Sequence, residues 1–566
     1  MGDRLPSVVE APTMPARVSS PTLPTKSLPD FRQLPLPEQV AQLIVVRASG
    51  QLFDRQIRYP QWEPPAAILR HWLSDLNVGG VILLGGSATE VACRTQQLQS
   101  WARLPLAIAA DIEEGVGQRF PGATWFPPPM AIAAIARRDL PHACALCEQM
   151  GATTAREALA LGIHWILGPV ADVNNNPDNP VINVRAFGEA AATVTSLVAA
   201  FIRGAQQYPV LTCAKHFPGH GDTAVDSHLT LPTVTAGPER LAQVELPPFQ
   251  SAIAAGVDSI MSAHLLVPAW DAECPATVSP AVLTEQLRRQ LGFTGLAVTD
   301  ALIMGAIADI APPEELPVLA LEAGADILLM PADPVAAIAA VCRAVESGRI
   351  ARDRLYCSLE RLWHAKQRIL TGASLEPATD LTAELARPEA VAAARAIDAA
   401  AMQFGGSLPA SLPPGTRNLV IVDDLLNSPF LDRHVPAIAF PEQLGCNLHL
   451  LPRHQLADCR DRLCDGTPTF LQLFARGNPF RGAAGLDRTT RTILQTLIAS
   501  GTLQAIAVYG SPYLLDWLHP HLPPELPWTF TYGQTPDAQE IAIARLCPSA
   551  GEKMSGSPDT TTAVFL

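Results

Sequence analysis

The sequence predicts a (β/α)₈ barrel followed by a second α/β domain. Between residues 36 and 375, eight short runs of β-type residues alternate with helical stretches. These runs are continuously apolar rather than alternating, as expected of parallel strands covered on both faces. Five consecutive runs end in an acid, a histidine or a lysine, and barrel enzymes place their catalytic groups at such strand ends.

The predicted barrel strands follow one another at regular intervals, with Ala-rich amphipathic segments between them, such as 145–161, 190–207 and 280–291. A doubly wound open sheet is the structural alternative, because it is built from the same β/α units. The strands are LIVVRA (43–48), GVILLG (80–85), LAIAADIE (106–113), WILGPVAD (165–172), LTCAKHF (211–217), SIMSAHL (259–265), LAVTDAL (296–302) and ADILLMP (325–331).

A second domain is predicted after a linker at 376–393. A helix (388–403) and then four β-type runs indicate a C-terminal α/β domain, at 394–550, with an open, largely parallel sheet. Its predicted strands are NLVIVDD (418–424), VPAIAF (435–440), TFLQLFA (469–475) and AIAVYG (505–510). A Pro/Ser-rich disordered leader (1–35) and a flexible tail (551–566) are expected at the two ends.

The composition argues against several classes of protein. A net charge of −14 over 566 residues disfavours nucleic-acid binding, which needs a basic surface. No apolar run is long enough for a transmembrane helix, and the N-terminus has no apolar core of a secretory signal. Eleven scattered cysteines suggest reduced thiols in a cytoplasm. The pair Cys144 and Cys147 lies in a helical segment without a second pair, so a metal or redox role is disfavoured.

The most informative segment is KHFPGHGDTAVDSHLTLP, residues 215–232. Its density of titratable groups among glycines and prolines is typical of a working loop. In an extended backbone, Asp226 and His228 point the same way, so Asp226 could orient the His228 ring and favour its protonated form. His228 is then a candidate general acid and base. The alternative is a surface loop with a chance D-x-H sequence.

Asp300 ends the seventh predicted strand, in GFTGLAVTDALIMGAI. It is a candidate nucleophile toward an electrophilic carbon. The alternative is an N-cap for the following helix, a common role for Asp.

Five further residues are candidate substrate binders, because charged groups strengthen hydrogen bonds to an uncharged ligand with several hydroxyls, such as a sugar. Structural ion pairs are the alternative for each of them. They are Asp111, Arg119, Arg185, Lys215 and His216.

A metal site is a competing hypothesis, since the residue types suit zinc or manganese. No H-E-x-x-H or comparable ligand spacing is present, which weakens it. Its ligands would come from His216, His220, Asp222, Asp226, His228 and His264.

Five segments within 111–302 resemble glycoside hydrolase family 3, and more closely its bacterial β-N-acetylglucosaminidase (NagZ-type) branch. They occur in family order: DIEEGVGQRF, NPDNPVINVRAFGE, KHFPGHGDTAVDSHLTLP, SIMSAH and GFTGLAVTDAL. The resemblance implies that Asp300 is the nucleophile, that His228 paired with Asp226 is the acid/base, and that the five candidate binders hold the N-acetylglucosamine ring. It also implies that Lys215 and His216 belong to the rigid strand end, whereas His220 and Asp222 shape the loop.

The resemblance thus implies a retaining exo-β-N-acetylglucosaminidase that acts in the cytoplasm on peptidoglycan-derived muropeptides. No metal or organic cofactor is implied, and we expect a monomer that binds only its carbohydrate substrate, without nucleic acid or membrane. The alternatives are a β-glucosidase of the same family with its acid/base in the second domain, an N-acetylglucosaminide phosphorylase, a metal-dependent hydrolase and a non-catalytic sugar-binding protein.

Two departures from the family pattern concern substrate specificity. Glu114 replaces the first of two usual glycines, and the pattern is altered again at Val116-Gly117. We expect this extra carboxylate to tighten the pocket mouth or to shift the aglycone preference. Ala186 stands beside Arg185 where a Ser is usual.

Overall fold

The first sheet of the computed structural model is a parallel eight-stranded barrel, as predicted. The structure describes residues 27–227, 229–372, 374–426, 428–463, 465–476 and 486–548. The barrel strands are β1 (Ile44–Ser49), β2 (Gly80–Leu84), β3 (Ala107–Ala110), β4 (Trp165–Ile166), β5 (Leu211–Phe217), β6 (Ser259–Ser262), β7 (Leu296–Thr299) and β8 (Leu328–Leu329).

Each barrel strand pairs in parallel with its neighbours in chain order, and β1 pairs with β8. A parallel bridge between Val298 and Ile327 closes the ring between β7 and β8. β4 and β8 are shorter than predicted. β4 ends before Pro169, which has no N–H for the ladder. β8 ends before Met330, which has a positive φ of 50°.

Helices surround the barrel and connect its strands. Two further segments, Leu241–Glu245 and Ala281–Gln290, have π-helical hydrogen bonding. The helices are α1 (Leu36–Ala41), α2 (Ala66–Ser74), α3 (Ala88–Trp101), α4 (Pro129–Ala136), α5 (Leu140–Ala160), α6 (Ala191–Ala205), α7 (Pro238–Arg240), α8 (Leu246–Ala254), α9 (Gly305–Ala308), α10 (Leu316–Ala323), α11 (Pro334–Glu346), α12 (Arg352–Gly372) and α13 (Leu381–Glu384).

The second domain is built on an open sheet of order β11-β10-β12-β13-β14-β9, in which only the edge strand β9 is antiparallel. This confirms the predicted open, largely parallel sheet. The strands are β9 (Gln403–Gly405), β10 (Arg417–Val422), β11 (Asn447–Pro452), β12 (Thr469–Ala475), β13 (Leu503–Gly510) and β14 (Trp528–Thr531). The helices are α14 (Pro388–Ala401), α15 (Pro436–Gln443), α16 (Leu456–Leu463), α17 (Arg488–Ala499), α18 (Pro512–Leu518) and α19 (Pro536–Leu546).

Alternate residues of the second sheet pack into two different hydrophobic clusters, one on each face. Leu471 and Leu473 of β12 join the large cluster that also contains the barrel, whereas Phe470 and Phe474 join a separate cluster on the other face. Because successive strand residues point to opposite faces, this sheet is covered on both sides.

One strand prediction in this domain is wrong. The run VPAIAF (435–440) lies largely in helix α15, which begins at Pro436 and continues to Gln443. A short apolar run does not distinguish a buried strand from a buried helix, and proline suits the first turn of a helix.

The predicted leader and tail lie mostly outside the described residues, and the predicted linker contains α13 and the start of α14. At the end of the leader, Phe31 packs edge-on against Tyr356 and Trp363 of α12. Across the described ranges, no helix combines the length and the apolar character needed to cross a membrane.

Candidate active site

A buried cluster of opposite charges lies at the carboxyl ends of β3 and β5. Lys215 Nζ is 2.7 Å from Asp111 Oδ1 and 2.6 Å from Glu113 Oε1. Arg185 donates two hydrogen bonds of 2.8 Å to the two oxygens of Glu113. The side chains of Lys215 and Glu113 are each 2% exposed, whereas that of Asp111 is 26% exposed. Asp111 is therefore the most accessible acid of this cluster.

The pKa shifts keep this cluster charged. Burial would raise the pKa of Glu113, but the adjacent Arg185 and Lys215 hold it well below its usual value. Burial would likewise lower the pKa of Lys215, but Asp111 and Glu113 reverse the effect and raise it. Fixed charges at neutral pH make strong hydrogen bonds to hydroxyl groups, so the cluster suits a polyhydroxylated ligand.

Arg119 supports the cluster from the side of β3. Its Nε donates to the backbone carbonyl of Asp111 at 2.9 Å, and its side chain is half-buried. Arg119 therefore fixes the backbone that carries Asp111.

His216 is held by a buried carboxylate in the segment that follows β4. Asp172 Oδ2 is 2.8 Å from His216 Nδ1, and Asp172 Oδ1 accepts the backbone N–H groups of His216 and His220 at 3.1 and 2.7 Å. Burial would raise the pKa of Asp172, but interactions with His216 and His220 lower it. Asp172 is therefore an anion that fixes both the His216 ring and the start of the following loop.

The loop after β5 is held by hydrogen bonds among its own side chains and by hydrogen bonds from the loop after β4. The His220 ring lies 2.9 Å from both Thr223 Oγ1 and Ser227 Oγ. Asn179 Nδ2 donates to the carbonyls of His220 and Gly221 at 2.8 and 3.1 Å. His220 thus spans the loop, which agrees with its predicted role in shaping it.

The predicted pair Asp226 and His228 is described only in part. Asp226 is buried, and its carbonyl accepts the N–H groups of Leu229 and Thr230 at 3.0 Å each. His228 lies outside the described residues, so the D-x-H pair stays a prediction.

Asp300 follows β7 at the same end of the barrel and is partly exposed. Its backbone N–H donates to the Ser262 carbonyl at 3.1 Å, and its Oδ1 accepts the N–H of Ala301 at 2.7 Å. The nearest following helix, α9, has Met304 at its N-cap position. The alternative role of Asp300 as an N-cap is therefore wrong, and its carboxylate lies at the strand end where barrel enzymes carry catalytic groups.

Four of the residues of the metal hypothesis, His216, His220, Asp222 and His264, are engaged in other contacts, and His228 lies outside the described residues. Asp222 pairs with Arg240 at 3.1 Å, and the His264 ring contacts Thr277 Oγ1 and the Ala301 carbonyl. Within the described part of the chain, no cluster of three or more His, Cys, Asp or Glu side chains is placed to hold a metal ion. The His216 and His220 rings instead form hydrogen bonds that organise the loop after β5.

Three residues of the site had no predicted role: Glu113, Asp172 and Asn179. Glu113 and Asp172 are the last residues of predicted strands, and this position alone could have identified them as candidate site residues. Asn179 lies in a loop rich in Asn, and nothing in the sequence distinguishes it from its neighbours.

A family model for the N-terminal domain of glycosyl hydrolase family 3 matches residues 35–365. The chain belongs to glycosyl hydrolase family 3. A model for the bacterial C-terminal domain of this family matches residues 412–547. The family predicted from the motifs is thereby confirmed, and the second domain is a recognised part of it.

Two curated relatives illustrate the range of names within this family. The β-N-acetylglucosaminidase/β-glucosidase of Cellulomonas fimi is 32% identical over 365 residues, which is 62% of this chain and 64% of that protein. β-Hexosaminidase A of Pseudoalteromonas piscicida is 35% identical over 332 residues, which is 53% of this chain and 55% of that protein. The chain therefore matches less than two thirds of the length of either relative.

A solved structure aligns over most of the chain. It is a family 3 β-N-acetylglucosaminidase from Paenibacillus sp. str. FPU-7, with a TM-score of 0.76 and 29% identity. The alignment covers 91% of this chain and 97% of the other. Both domains thus have a counterpart in that enzyme.

The two departures from the family pattern are both buried. The Glu114 side chain is fully buried and pairs with Arg476 of the second domain. Ala186 is buried in a small apolar cluster with Val170, Val181 and Ile182. Both side chains therefore have neighbours other than the charged groups of the site.

Proposed function

We propose that this family 3 protein is a retaining exo-β-N-acetylglucosaminidase. It would release terminal β-linked N-acetylglucosamine through a covalent glycosyl-enzyme. The observation that carries the proposal is the buried cluster of Asp111, Glu113, Arg185 and Lys215, which lies with Asp300 at the carboxyl end of the barrel. The names of the relatives from Pseudoalteromonas and Paenibacillus support the choice of sugar.

In this mechanism, each group has a separate task. The cluster holds the ring hydroxyls, and Asp300 attacks the anomeric carbon. His228, oriented by Asp226, protonates the departing oxygen and later activates water. Retaining glycosidases usually use two carboxyl groups, so an imidazole would replace one of them here. The anionic Asp300 also stabilises the positive charge that develops on the sugar.

The natural substrates in this proposal are muropeptides from peptidoglycan turnover, cleaved by a cytoplasmic monomer. The resemblance of residues 215–232 to the bacterial N-acetylglucosaminidase branch supports this substrate. The ten described cysteines are all unpaired, which is compatible with a reducing compartment. Release of N-acetylglucosamine from purified muropeptides, compared with release from chitobiose, tests the preference.

A β-glucosidase activity is the second candidate, because the Cellulomonas relative carries both activities in its name. Comparing kcat/KM for an aryl N-acetylglucosaminide and the matching aryl glucoside decides between them. The same assay in phosphate buffer, with detection of sugar 1-phosphate, tests phosphorolysis.

We expect Asp300→Asn to lower kcat on an aryl N-acetylglucosaminide by at least about 1000-fold, since the covalent step needs the carboxylate. Asp309→Asn, at the exposed position directly after α9, is the matched control and should retain wild-type activity. If Asp300→Asn kept near-wild-type turnover while the control behaved as expected, Asp300 would not be the nucleophile.

A further inference from the structure

The second domain reaches the active-site end of the barrel through a buried ion pair. Arg476, directly after β12, donates from one terminal nitrogen to Glu114 Oε2 at 3.1 Å and from the other to Glu114 Oε1. The Glu114 carboxylate is fully buried and also accepts the indole N–H of Trp125 at 3.0 Å. A buried carboxylate with a bidentate arginine is a strong and geometrically specific contact. This contact therefore fixes the backbone at Glu114 relative to the second domain.

A second contact comes from the neighbouring strand of the same sheet. Tyr513 follows β13 in α18, and its hydroxyl accepts a hydrogen bond of 2.7 Å from Asn174 Nδ2. Asn174 is 1% exposed, and its Oδ1 accepts the backbone N–H of Asn183 at 2.9 Å. Asn183 begins the short 3₁₀ turn that ends at Arg185. The second domain thus also supports the turn that carries Arg185.

The two contacts converge on one ion pair of the active site. Glu114 is adjacent in sequence to Glu113, and Asn183 lies two residues before Arg185. Glu113 and Arg185 are bonded to each other at 2.8 Å. The second domain is therefore connected to both partners of this pair. It reaches Glu113 through Glu114, and it reaches Arg185 through Asn174 and Asn183.

We infer that the second domain positions the Glu113–Arg185 pair for sugar binding through Arg476 and Tyr513. This role rests on the proposed function, because it gives these two side chains a task in the same site. Neither residue needs to touch the substrate. They act by holding the two loop segments whose separation sets the geometry of the charged cluster, and small displacements of binding groups are costly.

The departure from the family pattern at Glu114 has its reason in this contact. A glycine at this position has no side chain to hold, whereas Glu114 provides a buried anion for Arg476. The sequence alone could not show this, because the two residues are 362 positions apart. Glu114 thus serves the domain interface, and its effect on substrate specificity is indirect.

The test is steady-state kinetics of the full chain with Arg476→Met, Tyr513→Phe and the double variant. We expect each single change to raise KM for an aryl N-acetylglucosaminide by about 3- to 30-fold, the range for residues that modulate a coupled network. We expect kcat to stay within about 3-fold, because the reacting groups are untouched. Arg476→Lys keeps the charge without the bidentate geometry and should lie between wild type and Arg476→Met.

The matched control is Arg395→Met. Arg395 on α14 pairs with Asp537 and Glu540 of α19, at a contact within the second domain that has no link to the cluster among the described residues. Its loss should lower the thermal unfolding temperature without changing KM. Tyr513→Phe keeps the ring and removes only the hydroxyl, so a folded variant is available even if Arg476→Met unfolds.

An unchanged KM in Tyr513→Phe and in folded Arg476→Met would overturn the inference. An equal rise of KM in Arg395→Met would also overturn it, because the effect would then be general destabilisation. Failure of the proposed function is a distinct result, in which wild type does not cleave N-acetylglucosaminides. The same variants are then compared on whichever glycoside the wild type cleaves.

Discussion

At the residue scale, Glu245 is a buried acid beneath the loop that carries the predicted acid/base. Its Oε2 lies only 2.7 Å from the position that a Cβ at residue 219 would take, and Gly219 has a φ of +131° that favours glycine. Asn175 Nδ2 donates to Oε1 at 3.3 Å, and Oε2 has no hydrogen-bond partner among the described residues. Burial raises the pKa of Glu245 to about 7, with Asp172 and Asp222 adding to the rise and Arg240 opposing it.

This raised pKa predicts a pH-dependent contribution to stability. The folded protein retains a proton at Glu245 that the unfolded chain releases above about pH 4.5. The contribution is therefore fully present below about pH 4.5 and is lost as the pH rises through about 7. We expect Glu245→Gln to become progressively more stable than wild type over this window, in urea unfolding measured against pH.

The control for this experiment is Glu239→Gln, on the adjacent exposed turn. It should follow the wild-type pH profile. Parallel wild-type and Glu245→Gln profiles would show that Glu245 is not protonated in the folded protein.

At the element scale, the loops after β4 and β5 depend on each other through Asn179. Its Oδ1 accepts the N–H groups of Val181 and Ile182, while its Nδ2 holds the carbonyls of His220 and Gly221. Asn179→Asp keeps the acceptor and removes the donor, so it separates the two functions of this side chain.

We expect Asn179→Asp to lower kcat/KM by about 10- to 100-fold, since leaving buried carbonyls unpaired costs about 1–3 kcal/mol. Asp178→Asn, at the exposed preceding position, should have little effect. Equal activities of Asn179→Asp and wild type would show that this connection does not organise the loop for catalysis.

The elements also show how far sequence patterns reach. All eight barrel strands were predictable, because each is a mainly apolar run without alternation, and five of the runs end in an acid, a histidine or a lysine. The run VPAIAF failed, because a short apolar segment fits a helix as well as a strand. Three strands of the second sheet, β9, β11 and β14, were not predicted, and β14 (WTFT) is too short to show a period.

At the scale of the whole molecule, the sequence predicts which groups lie at the carboxyl end of the barrel better than it predicts their partners. Lys215 and Asp111 were predicted as binders from their strand-end positions, and they lie 2.7 Å apart. The pairing of Glu114 with Arg476 depends on how two domains meet, which no local pattern encodes. The link between the second domain and the active site is therefore visible only in the structure.

We propose that Asp300 forms a covalent bond to the sugar during turnover. The most direct measurement is mass spectrometry of the protein after incubation with 5-fluoro-N-acetylglucosaminyl fluoride, which slows hydrolysis of a glycosyl-enzyme. We predict one added fluorosugar on the peptide that contains Asp300, and no addition in Asp300→Asn. A label on another residue, or rapid hydrolysis of N-acetylglucosaminides with inverted product configuration, would contradict the claim.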